Sequence, residues 1–459
     1  MCELSGYGAQ QLAKKTSRSS YSPLKVISLF TGAGGLDLGF EAAGYSTVAC
    51  VELDATARET LTRNRPEWNL LDEGDIHRVL PTDLLRTANL SVGDVDVVLG
   101  GPPCQPFSKA AFWVAGETLR LADPRASTLS ATMDIVGAVL PRAVVIENVR
   151  GIAYRDKGEA ISLIQRRFKS INRRHRTRYH PDLVVLSATA YGVPQVRERA
   201  FIVAFRDGQR FVAPTPTHGD ELLPVATAWD AIGGMRPSKK ELAMLQLRGK
   251  WADLLPSIPE GSNYLFHTAR GGGLPLFGWR TRYWSFLLKL ARNEPSWTLQ
   301  AAPGPATGPF HWQNRLLSVQ EMMALQTFPK GYEIAGSYNA ARRQIGNAVP
   351  SALAEAVARQ VRAILTGENL VGPSILATQP RQGSPRTRRP QPVPAKYLSL
   401  IGEHAEHPGN GRGPGAQQRH EMRSPEERSI TQVVNQSRRG AKHPDAEAIN
   451  LGSKQFIAA

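Results

Sequence analysis

Cysteine is scarce in this chain: 459 residues contain 3, at Cys2, Cys50 and Cys104. So few thiols, so widely spaced, exclude a disulfide framework and a cysteine-ligated zinc site, and they imply a reducing compartment. Long apolar runs are missing too. The opening stretch, MCELSGYGAQQLAKKTSRSS, has no apolar segment of the kind a secretory leader needs. No later stretch approaches the roughly 20 residues that cross a bilayer. The expectation is a soluble, cytoplasmic protein with no membrane partner. Acid is the charge in deficit, with 40 Asp and Glu against 56 Lys and Arg and a formal net charge of +16. That balance favours a polyanionic partner and says nothing of fold.

What is present is organised around Gly100–Ser108, GGPPCQPFS. It follows an apolar run, VDVVL at 95–99, that reads as a buried strand closed by glycine and proline punctuation. Pro102 and Pro103 restrict the backbone before Cys104, and Pro106 follows it. A thiol at the carboxyl end of a central strand sits where open α/β sheets bind ligands. Cys104 is therefore the candidate nucleophile, against the plainer reading of a buried cysteine beside a turn.

Residues 1–23 read as a flexible leader. Order begins with a strand at 25–30 (KVISLF) running into TGAGGLDLGF, where Gly32, Gly34 and Gly35 allow a sharp turn and a helix from about Leu36 offers its amides. Asp37 stands where a third glycine would complete GxGxxG, which argues against a standard dinucleotide fingerprint. The next strand, TVACVE at 47–52, ends in Glu52, suited to ribose hydroxyls or simply solvated. Asp54 begins a helix, and Gly74–Asp75–Ile76 closes a third βα unit, with Asp75 either accepting from a base amine or capping a turn. Lys109–Arg125, carrying Phe112 and Trp113, is either a lid over substrate or a packed loop. Helices are expected over 126–140 and 159–172, with a strand at 143–146 ending in Glu147–Asn148–Val149. Strands at 183–186 and 198–205 flank Gln195, Arg197 and Arg199. Alternation puts the two arginines on one face, as surface charge or as a fork for a carbonyl or phosphate.

The rhythm changes near Asp207. Short segments punctuated by proline, glycine and tryptophan suggest a separate domain over 207–341. Arg270, Arg280 and Arg282, interleaved with Trp279, Tyr283, His311 and Trp312, suit a nucleic-acid reader, although aromatics also make cores. Ser318 and Glu321 have capping-box spacing for a helix within 316–328. QIGNAVP at 344–350 is expected to open a helix through about Leu365. Residues 367–459 read as a basic, disordered tail, with a helix signal after Ser424.

Taken together, LFTGAGGLDLGF, VELD, GDI, GGPPCQPFS, ENV, QVRERAFIVAF, RLLSVQEMMALQTFP and QIGNAVP, in this order, resemble the C5-cytosine DNA methyltransferases. The resemblance covers about 25–205 and 315–365, and the stretch between them resembles the family's variable target-recognition domain in placement and length. Ser28 departs from it, since many members carry an acid there. The resemblance implies an α/β, Rossmann-like class I methyltransferase fold. Its mostly parallel seven-stranded sheet would lie in 24–206 and be completed by 342–366, beside a smaller target-recognition domain at 207–341. It implies S-adenosylmethionine as cofactor, contacted by Phe30, Thr31, Gly32, Gly34, Gly35, Glu52, Leu53, Asp75, Ile76 and Asn347. Catalysis falls to Cys104, Glu147, Arg197 and Arg199, and DNA contacts to Gln105, Ser108, Gln195, Arg270, Arg280 and Arg282.

The expected activity is transfer of methyl to C5 of a flipped-out cytosine in duplex DNA, in a restriction–modification setting. A monomer near the nucleoid, accompanied by a separately acting endonuclease, completes the expectation. An RNA cytosine methyltransferase, a non-catalytic DNA-binding relative and a nicotinamide dehydrogenase are the alternatives.

Overall fold

Valine and isoleucine crowd the segments that become strands, and the central ones are apolar without alternation, the pattern of parallel strands covered on both faces. The computed structural model describes residues 22–103, 126–153, 159–279, 284–383 and 386–404. The strands are β1 (Leu24–Leu29), β2 (Tyr45–Val51), β3 (Val97–Gly100), β4 (Ala143–Val149), β5 (Asp182–Ser187), β6 (Gln195–Val196), β7 (Glu198–Phe205) and β8 (Ser296–Trp297). The helices are α1 (Gly35–Ala42), α2 (Ala55–Asn64), α3 (Pro81–Ala88), α4 (Ala126–Val139), α5 (Glu159–His175), α6 (Ala228–Ile232), α7 (Lys239–Met244), α8 (Val319–Leu325), α9 (Tyr338–Asn347) and α10 (Ser351–Thr366).

The main sheet has the order β2-β1-β3-β4-β7-β5. Strands β2, β1, β3 and β4 run parallel, and β7 is antiparallel to both β4 and β5. The chain leaves β1 outward to β2 and returns on its other side to β3, so the order reverses at the carboxyl ends of β1 and β3. Open α/β sheets bind their ligands in such a crevice. One apolar layer joins Leu129 and Met133 of α4 to Ile164 and Phe168 of α5. The opposite layer joins Phe40 of α1 to Leu353 and Val357 of α10.

The expected seventh strand shrinks to a single parallel bridge, Cys50 to Leu70, among the described residues. Asn69, at φ 49°, precedes it, and a turn through Gly74 follows it closely, so little extended chain remains to pair. At Gly74 the backbone passes so near Glu52 that a Cβ would lie 2.4 Å from the Glu52 carbonyl oxygen.

The chain's last long helix, α10, packs on α1 through a contact without room for a methyl group. A Cβ on Gly39 would lie 2.4 Å from the Ala354 Cβ and 2.6 Å from the Ser351 carbonyl oxygen. QIGNAVP does not open this helix as expected. Gln344–Asn347 ends α9, Ala348–Pro350 breaks the chain, and Ser351 starts α10. Proline at 350 disfavours helical geometry at the residue before it, which places the break.

Residues 206–337 hold short helices, isolated bridges and β8, which pairs in parallel with β6 just before β7. Their core includes Leu254, Ile258, Tyr264, Leu287 and Phe310. A second cluster mixes Ala33, Leu38 and Cys50 with Leu290, Leu299 and Trp312, so the two regions share a core.

The tail departs from expectation. Residues 367–383 and 386–404, assigned to disorder by composition, form a packed strap. Buried Glu355 of α10 accepts from Ser374 Oγ and from the amides of Ile375 and Leu376, at 2.9 and 3.0 Å for the amides. Further on, the Tyr397 ring stacks on Trp251 with centroids 5.7 Å apart, and its hydroxyl donates to the Lys250 carbonyl. Low apolar content hid a segment that is anchored by an occasional aromatic and by backbone amides.

Candidate active site

The glycine turn after β1 is built from left-handed backbone. Phe30, Gly32 and Gly34 have φ of 56°, 58° and 79°. The Gly32 amide donates to Glu52 Oε2 at 2.7 Å, and the Asp54 amide donates to Oε1 at 2.7 Å. Glu52 thus ties the end of β2 to the turn after β1. Burial raises its pKa, and the two amides oppose that rise. Gly35 admits no side chain, since a Cβ would sit 2.5 Å from the Val349 carbonyl oxygen. Thr31 is buried, its hydroxyl donating to Ser28 Oγ at 3.0 Å. Phe30 is half-buried against the core, whereas Leu53 is 70% exposed at the same sheet edge. Asp75 Oδ1 accepts from the His77 amide at 3.0 Å, so it does cap a turn; Ile76 beside it is buried. Asn347 is exposed at the last turn of α9.

Asp37 is the residue that sequence reasoning passed over. Its carboxyl is 1% exposed, with Thr47 Oγ1 donating to Oδ1 at 3.3 Å and Oδ2 lacking a partner. Burial pushes its pKa up to about 7, against smaller opposing effects of the Ser28 and Thr47 hydroxyls. The acid absent at position 28 is therefore present in space beside that serine. Only its place in an otherwise apolar helix turn offered a signal.

At the adjoining strand ends, Glu147 of β4 faces Arg199 of β7. Arg199 Nε lies 2.7 Å from Glu147 Oε1, with the two side chains 12% and 11% exposed. A Cβ on Gly101 would lie 3.5 Å from Glu147 Oε2, so the second carboxyl oxygen looks toward the segment leaving β3. Burial raises the Glu147 pKa, and Arg199 and then Arg197 hold part of that rise back. A raised pKa moves this carboxyl toward the protonated form, in which it can donate a hydrogen bond. Asn148 fixes the neighbouring loop, its Nδ2 donating to the Pro102 carbonyl at 3.2 Å. Pro103 is the last described residue before Cys104. Cys104, Gln105 and Ser108 lie outside the described residues, as do Lys109–Arg125, Arg280, Arg282, the leader and the region after Ser424.

Arg197 and Arg199 do not act as one fork. Arg197 is 2% exposed; its NH2 donates to the carbonyls of Gly346 and Ala348 at 2.7 and 2.9 Å, and its NH1 to that of Leu299 at 3.4 Å. Alternation along the strand located the side chains but gave no sign of the chain that returns over one of them. Gln195 is also corrected as a DNA contact. It is fully buried, with Nε2 donating to the Leu325 carbonyl at 3.4 Å and Oε1 accepting from the Leu299 amide at 3.3 Å. Gln326, unforeseen, clamps the same returning segment by donating to the Ile345 carbonyl at 2.6 Å. His311 and Trp312 are core residues here, at 3% and 5% exposure, rather than readers of nucleic acid. Arg270 is exposed, its guanidinium 5.1 Å from the Trp279 ring centre.

A mostly parallel sheet with a glycine turn and an acid at the ends of β1 and β2, and a carboxyl–guanidinium pair at the next strand ends, defines an enzyme of the Rossmann-like methyltransferase class. The particular family follows from comparison with known proteins. Residues 24–363 match the C-5 cytosine-specific DNA methylase family, and the chain belongs to it. The type II methyltransferase M.SacI of Streptomyces achromogenes is 38% identical over 368 residues, covering 73% of this chain and 92% of that protein. The type II methyltransferase M.NgoFVII of Neisseria gonorrhoeae is 34% identical over 348 residues, 74% of this chain and 87% of its own. Among solved structures, a putative DNA modification methyltransferase encoded within an E. coli prophage aligns with a TM-score of 0.55. It covers 75% of this chain and 100% of that one at 21% identity, a likeness of fold alone. The protein is a DNA cytosine-5-methyltransferase. Among the described residues, no helix is long and apolar enough to cross a membrane.

Proposed function

We propose that this enzyme methylates C5 of a flipped-out cytosine within a specific duplex DNA sequence, with S-adenosylmethionine as donor and Cys104 as nucleophile, and so protects DNA from a cognate endonuclease. The observation that carries the reading is the Glu147–Arg199 pair at the sheet's carboxyl edge, beside the Gly101–Pro103 segment that leads into Cys104.

S-adenosylmethionine, when bound, supplies an electrophilic methyl group. The glycine turn, the Glu52 carboxylate and the apolar faces of Phe30 and Leu53 suit its amino-acid, ribose and adenine parts. Thr31 contributes backbone alone, because its hydroxyl is already engaged. Asp75, Ile76 and Asn347 complete the proposed cofactor contacts.

Cytosine C5 is a weak nucleophile and is stacked inside a duplex, so the base must first leave the helix, at a cost of a few kcal/mol. The Cys104 thiolate then donates an electron pair to C6, forming an S–C6 bond and turning the C5–C6 double bond into an enamine system nucleophilic at C5. Glu147 meets the N3 and N4 edge as a carboxylic acid and stabilises charge developing on the ring. Arg199, already oriented by Glu147, holds the O2 side. Arg197 acts through the backbone it supports, as a positioning residue. After methyl transfer, a water removes the C5 proton, the C5–C6 double bond re-forms and the thiolate leaves.

A duplex carrying 5-fluorocytosine at the target, which has no C5 proton to lose, tests the mechanism with the cofactor present. A denaturation-resistant enzyme–DNA adduct is expected, and Cys104→Ala should abolish it while DNA binding persists. A proven target that never yields the adduct would overturn the assignment. Bisulfite sequencing of DNA from a methylation-free host expressing the chain identifies the sequence methylated, with transfer RNA as the control substrate.

A further inference from the structure

Away from the sheet's carboxyl edge, a cavity of about 240 Å³ opens between α6, the 311–313 segment and the strap. Three guanidiniums line it, those of Arg236, Arg292 and Arg388, together with the rings of Trp229, Trp312 and His311. Arg292 is 8% exposed. One of its terminal nitrogens donates to the Arg386 carbonyl and the other lies 3.1 Å from Glu260 Oε1, but its Nε has no partner. Trp229 Nε1 has none either. Buried donors are rarely left unpaired, and both of these belong to residues whose side chains border the cavity.

Charge says which acceptor. Glu260 Oε1 is engaged by Arg292 while its buried Oε2 has no partner, Asp230 is engaged by the Thr227 hydroxyl and amide and the Arg381 amide, and Glu321 by Arg315, so the guanidiniums bordering the cavity outnumber the acids that answer them. Burial, reinforced by Arg315, Arg292 and Arg236, holds the His311 pKa down to about 2, so the ring is neutral while the potential around it is positive. The indole faces are already taken: Arg292 lies 5.5 Å from the Trp312 ring centre and Arg381 6.0 Å from that of Trp229.

We infer that this cavity is a phosphate-binding site, completed by Arg388 of the strap, that takes its ligand through the oxyanion rather than the base. The two sources of that chemistry are a backbone phosphate of bound duplex and a free phosphate or nucleotide. The site does not depend on the proposed reaction chemistry, and only its duplex arm rests on the DNA reading.

Calorimetric titration of the full chain with inorganic phosphate provides the test. One saturable site is expected, weakened about tenfold or more in Arg236→Gln/Arg388→Gln, in keeping with loss of charge-assisted hydrogen bonds. Both arginines are exposed, so the variant should fold. Arg63→Gln/Arg86→Gln, changed at two exposed arginines elsewhere, should bind phosphate as the parent does. If saturating duplex abolishes phosphate binding and the cavity variant lowers the salt slope of duplex binding by about 1, the occupant is backbone phosphate. If phosphate still binds with duplex present, the site serves a free anion. No saturable binding, or equal weakening in both double variants, would overturn the proposal, and methyl transfer measured separately tells that failure from failure of the enzymatic reading.

Discussion

Arg197→Met separates support from chemistry within one motif. Two of the three hydrogen bonds it removes are short, at 2.7 and 2.9 Å, and the third is long at 3.4 Å. Bonds from a charged donor contribute roughly 1.5–3 kcal/mol each, and the carbonyls left behind are buried. Losing the guanidinium also removes its own desolvation, so a net destabilisation of about 3–5 kcal/mol is expected. The freed carbonyls belong to the segment whose Val349 oxygen abuts Gly35, so the disturbance reaches the glycine turn. Urea unfolding should show a lower midpoint at unchanged slope, and KM for S-adenosylmethionine should rise more than kcat falls. Arg199→Met should do the reverse for the kinetic constants, losing kcat with little change in cofactor KM. Arg199 is the larger of the two cationic effects that lower the Glu147 pKa, so its removal raises that pKa further. The activity that depends on the protonated carboxyl would then persist to higher pH. Arg197→Met that unfolds within about 1 kcal/mol of the parent and keeps its cofactor KM would refute the division of roles.

Three further perturbations follow from buried contacts. Asp37 titrates from 3.8 when exposed to about 7 when folded. The folded state therefore binds the extra proton: the stabilisation is fully present below about pH 4 and lost as pH rises through 7, a span on the order of 4 kcal/mol. Asp37→Asn should flatten that slope in denaturation curves between pH 5 and 8, and an unchanged slope would clear Asp37 of responsibility. Gly39→Ala drives a methyl group into α10 backbone and should cost about 1–3 kcal/mol in thermal unfolding, a parent-like midpoint counting against the packing described. Glu355→Ala removes the anchor of Ser374–Leu376 on α10 and leaves Arg359 without its carboxylate, for about 3–5 kcal/mol, although Arg359 keeps the Gly372 carbonyl and Arg362 keeps Glu368. Limited proteolysis should then cut within 367–383, and resistance equal to the parent's would mean the strap is held elsewhere.

The βα order could be read from the chain because each strand is an apolar run closed by a turn signal, and because Asp54 and Ser318 announce helix starts with their own side chains. Long-range clamps could not be read. Arg197 and Gln195 have the residue types of a polar surface, and only distant backbone turns them inward, that of Gly346 and Ala348 over Arg197 and that of Leu299 and Leu325 over Gln195. Arg315 is turned inward in the same way, pairing with buried Glu321. The strap was invisible for the opposite reason. Its sequence carries few apolar residues, and its stability comes from partners far away in the chain.

Ser28 shows what a departure in a motif does and does not mean. A missing acid on β1 would weaken the case for a charged layer beneath the cofactor turn if the position in sequence were what mattered. Asp37 enters the same buried space from α1, and the hydroxyls of Ser28 and Thr47 both act on its carboxyl. In this chain the carboxyl in that space comes from α1 rather than β1. The helix route differs in one respect: the acid arrives 1% exposed, with Oδ2 lacking a hydrogen-bond donor, so its charge is expensive and its proton stays on to near-neutral pH. The glycine turn of this enzyme is therefore coupled to pH through a residue that does not line the crevice, and cofactor affinity in Asp37→Asn should lose whatever pH dependence the parent shows between 6 and 8.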